Sequence, residues 1–140
     1  MNPTGQTIAG GCACGAIRYR TDAVPTVMLN CHCRDCQRAT GGAFAAIVVV
    51  PKASVSIEGE PRFHAVVADS GKTVERGFCP RCGSPLLVRL ERLPDILGLL
   101  AGGLDDPSRH QPTLEVFTES AQPWCVMSDA TQKFPKGVAR

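Results

Sequence analysis

Seven of the eight cysteines in this chain fall into three tight clusters, Cys12-Ala13-Cys14, Cys31-His32-Cys33-Arg34-Asp35-Cys36 and Cys79-Pro80-Arg81-Cys82. In an extended segment residues i and i+2 share a face, so Cys12 with Cys14, and Cys31 with Cys33, each present two sulfurs side by side. Cys33 with Cys36, and Cys79 with Cys82, have the two-residue gap of a metal knuckle, in which a tight turn brings both thiolates to one ion. Pro80 pre-sets such a turn, and Gly83 permits positive φ as the chain leaves it. Four sulfurs plus three predict one filled zinc site and one with an open position.

Other uses of these thiols fit less well. A disulfide framework belongs to short secreted chains, and residues 1–5 carry neither a basic nor an apolar leader region. A redox Cys-x-x-Cys should open a helix in a βαβ unit, whereas Pro85 and an apolar, β-like run follow Cys82. Cys125, beside Trp124, reads as a small buried core residue.

The elements that must position the clusters are mostly strands. Residues 17–20 alternate as a half-buried strand does, and residues 43–50 form a β-branched run stopped by Pro51. Further strands are expected at 55–58, 62–66, 74–78, 86–90, 96–100 and 114–118. The 14 glycines and 11 prolines between these runs leave little room for helix beyond two or three turns. One short turn is expected at 37–40, and another where Asp106 caps Pro107.

A chain of 140 residues predicts one domain, 1–140, mainly β and helped by a metal staple. No apolar run nears the roughly 18 residues of a membrane span, and the thiol content suits a reducing cytoplasm. The net charge of +2 comes from scattered basic residues, which reads as a solvated surface and excludes a nucleic-acid footprint.

The stretches Gly11-Cys12-Ala13-Cys14-Gly15, Cys31-His32-Cys33-Arg34-Asp35-Cys36, Thr40-Gly41-Gly42-Ala43-Phe44, Phe78-Cys79-Pro80-Arg81-Cys82-Gly83-Ser84 and Gly102-Gly103-Leu104-Asp105-Asp106-Pro107 together resemble the glutathione-dependent formaldehyde-activating enzyme family. The resemblance implies an Mss4-like β-tent of coiled antiparallel sheets stapled by zinc. It implies carbon-sulfur lyase chemistry of the S-hydroxymethylglutathione synthase kind. It assigns Cys12, Cys14, Cys79 and Cys82 to a structural zinc, and Cys31, Cys33 and Cys36 to a catalytic, more labile one. Spacing alone leaves open a zinc ribbon that joins Cys33 and Cys36 to Cys79 and Cys82.

A three-thiolate zinc with a vacant position selects a soft fourth ligand, so the expected occupant is the thiol of glutathione or a similar co-substrate, which then adds to a small aldehyde such as formaldehyde. Arg38, with Arg34 near it, and the backbone at Gly42 are the candidate contacts for the thiol's carboxylates. His32 is expected to be structural or on the surface, His64 and His110 on the surface, and Phe44 and Trp124 in the core. Glu115 stands where family members often carry a histidine, which points to a different thiol or aldehyde, or to lost catalysis, if that histidine touches substrate. The alternative function is a non-catalytic zinc-binding interaction module of the same fold, and exposed β edges make a homodimer the default assembly.

Overall fold

The computed structural model describes residues 6–138; residues 1–5, which bear on the leader, lie outside these. The strands in chain order are β1 (Ile8–Gly11), β2 (Arg18–Thr21), β3 (Val27–Cys31), β4 (Ala45–Pro51), β5 (Ser56–Glu58), β6 (Arg62–Val67), β7 (Thr73–Phe78), β8 (Pro85–Leu90), β9 (Leu93–Leu100), β10 (Leu114–Val116) and β11 (Gln132–Lys133), with helix α1 (Arg34–Thr40) after β3. A small antiparallel sheet has the order β1-β2-β5, and a large one runs β11-β10-β3-β4-β9-β8-β7-β6. The large sheet is antiparallel except that β10 lies parallel to both β3 and β11. The chain is therefore mainly β, as its sequence pattern predicts.

Strand β4 shows why that pattern looks as it does. Its alternating side chains are buried on both faces: Val48 and Val50 join one core with Ile8, Ile17, Tyr19, Leu86 and Leu99, while Ile47 and Val49 join a second with Val88, Leu100 and Val116. A strand buried on both faces reads as an unbroken apolar run. The cysteines divide in the same way, Cys12 and Cys79 in the first core and Cys31 and Cys36 in the second.

The eight expected runs correspond to β2 and β4 to β10, with ends shifted by a few residues. β1, β3 and β11 escape the pattern. β1 reads Ile-Ala-Gly-Gly, and β11 is a two-residue strand held only by pairing to β10. β10 stops at Val116 because Phe117 adopts φ 56°, a left-handed conformation that ends extended pairing. The helix starts earlier than expected because Cys33 caps it, its Sγ accepting from Cys36 N at 3.3 Å. Gly41 closes it at φ 73° and donates to Gln37 O at 2.8 Å. Asp106 caps the turn Pro107–Arg109, as expected, by accepting from Ser108 N.

The small sheet is fixed to the large one by close backbone approach. Gly10 bridges Leu104, and a Cβ at Gly10 would lie 2.3 Å from the Gly103 carbonyl oxygen. Asp105 N donates to Ala9 O at 2.9 Å, and its carboxylate meets the Arg18 guanidinium through two hydrogen bonds of 2.5 and 2.8 Å. The Gly102-to-Pro107 stretch thus serves the architecture.

Candidate metal centres and an adjoining cleft

Two turns bring four sulfurs together. Cys12 and Cys14 flank the turn after β1, where Gly15 takes φ 79°. Cys79 and Cys82 sit in the turn between β7 and β8, closed by Gly83 N donating to Cys79 O at 2.8 Å, with Gly83 at φ 79°. The Sγ atoms of Cys12, Cys14, Cys79 and Cys82 all lie within 4.8 Å of one another. Backbone amides already point at them: Ile17 N donates to Cys12 Sγ at 3.3 Å, and Arg81 N and Cys82 N each donate to Cys79 Sγ at 3.4 Å. Such donors favour the thiolate, the form that ligates a metal. Contacts from the Ser84 hydroxyl and backbone, led by the hydroxyl, draw Cys82 down to about 5.

The second cluster comes from one short segment, the end of β3 and the start of α1. Its sulfurs, on Cys31, Cys33 and Cys36, also lie within 4.8 Å of one another. Hydrogen bonds from Cys31 and then Cys36 draw Cys33 down to about 2, and the hydrogen bond to Cys33 followed by that to Cys36 pushes Cys31 upward. The cluster thus loses one proton readily and the next only against repulsion. A cation in the middle removes that repulsion, so the donor set fits a soft divalent metal. The ribbon grouping of Cys33 and Cys36 with Cys79 and Cys82 is not the one formed.

A buried polar network holds this second cluster in place. His32 is 0% exposed and Glu115 2% exposed, and His32 Nε2 donates to Glu115 Oε1 at 2.7 Å. The other carboxylate oxygen accepts from Thr131 Oγ1 at 3.0 Å and Asn30 Nδ2 at 3.3 Å. The parallel register of β10 against β3 places Glu115 opposite Asn30 and lets His32 N bond Val116 O. From the helix side, buried Gln37 donates to both His32 O at 2.7 Å and Ser120 O at 3.0 Å, while Arg34 and Gln122 donate to its side-chain oxygen. The backbone on both sides of Cys33 is therefore clamped, as ligand geometry requires.

Beside the second cluster lies a cleft of about 340 Å³. Its apolar walls include Ala45, Val88, Leu100 and Phe78, with Thr40, His64 and Arg76 as the polar groups. His64 pairs across the strands with Arg76, and Arg76 with Val88, so the three form a row over the sheet. Arg76 Nη2 lies 3.5 Å from Cys36 Sγ. No sequence argument singled out Arg76. The signal was present only as alternation along β7, once its register against β6 is known.

Residues 7–120 match the family described as glutathione-dependent formaldehyde-activating enzyme. The chain belongs to this family. Among the relatives of this family member, a Halomonas elongata protein named "Putative glutathione-dependent formaldehyde-activating enzyme" is 28% identical over 89% of this chain and 83% of its own length. A Penicillium rubens protein of the same name is 31% identical over 71% of this chain, and the matched region spans 54% of that longer relative. A crystal structure of a Rhodobacter sphaeroides protein shares the fold at a TM-score of 0.55 and 20% identity, covering 69% of this chain and 87% of that one.

The expected places of Trp124, Cys125, Phe44 and His110 change in the family member's structure. Trp124 is 68% exposed and Cys125 only half-buried, so neither belongs to the core, because residues 121–130, between Ser120 and the strand β11, form no strand and lie mostly at the surface. Phe44 is half-buried, its ring 5.2 Å from that of His32. His110 is not a free surface residue: it is half-buried, and its Nε2 donates to Asn30 Oδ1 at 3.0 Å. Glu115 faces His32 within the protein. Arg38 and Gly42 are exposed at the end of α1, outside the walls of the cleft. Among the described residues, no helix is long and apolar enough to cross a membrane.

Proposed function

We propose that the chain is a zinc-dependent carbon-sulfur lyase or synthase that joins, or releases, a glutathione-like thiol and a small aldehyde such as formaldehyde. The observation that carries this reading is the inequality of the two sulfur clusters in a chain of this family, four sulfurs in one and three in the other. Cys12, Cys14, Cys79 and Cys82 would hold a coordinatively full zinc that ties β1 to the β7–β8 turn. Cys31, Cys33 and Cys36 would hold the second. A zinc held by three thiolates supplies a soft, open position that keeps a substrate thiol in its nucleophilic thiolate form.

The chain's own residues do the rest. His32, Glu115 and Gln37 fix the backbone that carries the three sulfurs. The exposed Arg38 and the backbone at Gly42 are proposed to meet the thiol's carboxylates, since both stand at the end of the helix that carries Cys36. All eight cysteines are free, which suits a reducing cytoplasm as the proposed location. A binding module built on this fold needs only the four-sulfur staple, so the second cluster favours the enzyme.

The test is zinc stoichiometry on anaerobically purified protein, with glutathione-formaldehyde exchange followed by NMR. Two zincs, the weaker one responding to glutathione, together with accelerated exchange, support the enzyme. One zinc, indifferent to thiol, and no acceleration would leave the binding module.

A further inference from the structure

Formaldehyde leaves most of the cleft beside Cys36 unused. At about 340 Å³ the cleft reaches the size of small-molecule sites, whereas one water occupies about 30 Å³ in the liquid. Its lining separates by chemistry. Ala45, Val88 and Leu100, with Phe78, form an apolar body, and the permanent cation Arg76 stands at the edge that meets the sulfur cluster.

Arg76 is half-buried and forms no ion pair with a carboxylate among the described residues. A guanidinium has five N–H donors, and the contact with Cys36 Sγ occupies one of them. Arg89, one strand over, shows the contrasting arrangement, with Glu75 as ion partner and Phe63 under its guanidinium. Arg76 is therefore placed to donate to something that enters the cleft beside the sulfurs.

We propose that the cleft takes the apolar substituent of an aldehyde larger than formaldehyde, aliphatic or aromatic, while Arg76 donates hydrogen bonds to the aldehyde oxygen as it becomes an alkoxide. This rests on the reading of the Cys31/Cys33/Cys36 cluster as a thiol-aldehyde centre. In the forward step the thiolate sulfur forms a bond to the carbonyl carbon, and the C=O π pair moves to oxygen. The proton given up by the thiol returns to that oxygen through water at the mouth of the cleft. Thiol plus aldehyde thus equals hemithioacetal, with no change of oxidation state. Arg76 gives up no proton; it stabilises developing charge in a partly dry site, where such donors act most strongly. A tripeptide with two carboxylates fits this lining poorly, because the walls offer it one permanent cation.

The experiment uses the zinc-loaded protein with glutathione and the series formaldehyde, acetaldehyde, butanal and hexanal, with exchange followed by NMR. From acetaldehyde to hexanal, kcat/KM should rise roughly fourfold for each methylene that enters the apolar walls. The Arg76→Gln variant should lose roughly 10²- to 10³-fold in kcat, with its zinc content and its KM for glutathione retained, and Arg76→Lys should recover part of the loss. Independently of activity, hexanamide, an unreactive mimic of hexanal, should shift the methyl resonances of Val88 and Leu100. Turnover of formaldehyde with a flat or falling length series would overturn the cleft assignment and leave the thiol-aldehyde reading standing. An Arg76→Gln variant that keeps its kcat, or that loses the second zinc, would overturn the role of Arg76. No catalysis with any aldehyde would remove both readings.

Discussion

His32 Nε2 and Glu115 Oε1 lie 2.7 Å apart with both side chains sealed from solvent, although the two residues are far apart in the chain. The contact exists because β10 runs parallel to β3, which brings Glu115 beside Asn30 and so next to the residue between Cys31 and Cys33. Leaving a buried hydrogen-bonding group without its partner typically costs about 1–3 kcal/mol, more when that group is charged. Glu115→Ala should lose stability of that order in urea titration of the metal-loaded protein. Glu115→Gln, which still offers an acceptor to His32, should lose clearly less. Equal losses in the two variants would show that the contact adds little beyond packing.

The two sulfur clusters should separate by mutation. Cys82→Ser opens the four-sulfur site that joins β1 to the β7–β8 turn. Structural zinc contributes roughly 10–16 kcal/mol in small zinc-dependent domains, so loss of one thiolate should lower stability by at least about 3 kcal/mol. Cys33→Ser removes a ligand from a segment already held by Gln37 and the His32–Glu115 pair. It should keep the far-ultraviolet circular dichroism of the wild type and lose the second zinc together with exchange activity. Matching unfolding curves for the two variants would refute this division of labour.

The strands were legible wherever burial alternated or saturated, as in β4, because periodicity records which faces are covered. β1 and β11 were not, since glycine and a two-residue pairing leave no period. The sulfur groups were legible as donor types, while their division needed the fold: Cys79 and Cys82 reach Cys12 and Cys14 across the first core, away from Cys33 and Cys36. Arg76 was invisible as a functional group, and Glu115 stood out only by its place in the family pattern and not as the partner of His32, because strand register places both, and register is a tertiary property. Trp124 misled for the opposite reason. Its apolar surface argued for burial, but no element covers the segment that carries it.

Gly10 is a test of how the small sheet is attached. A methyl there would meet the Gly103 carbonyl oxygen at 2.3 Å and the Tyr19 hydroxyl at 2.5 Å, and the carbonyl belongs to backbone that cannot simply rotate away. Overpacking of this kind costs about 1–3 kcal/mol, sometimes more. Gly10→Ala should show that loss in thermal unfolding, with early hydrogen exchange at Ala9 and Asp105. Gly42→Ala, where the nearest atom to a new Cβ is 3.8 Å away, is the matched control and should stay near wild type.

His110 gives the fold a dependence on pH. Burial holds its imidazole below the usual histidine value, against an opposing pull from Glu115. As pH falls through about 6.5, the unfolded chain takes up a proton that the folded His110 still refuses, so the unfolded state gains. Stability from this residue is thus complete above the unfolded value and is lost as pH drops towards the lower folded one. His110→Gln preserves a side-chain amide that can donate to Asn30 and cannot titrate. Urea midpoints of wild type and variant, measured from about pH 7.5 to about pH 5, should therefore converge as the solution is acidified. A gap between them that stays constant or widens on acidification would show that His110 is not held neutral by its surroundings.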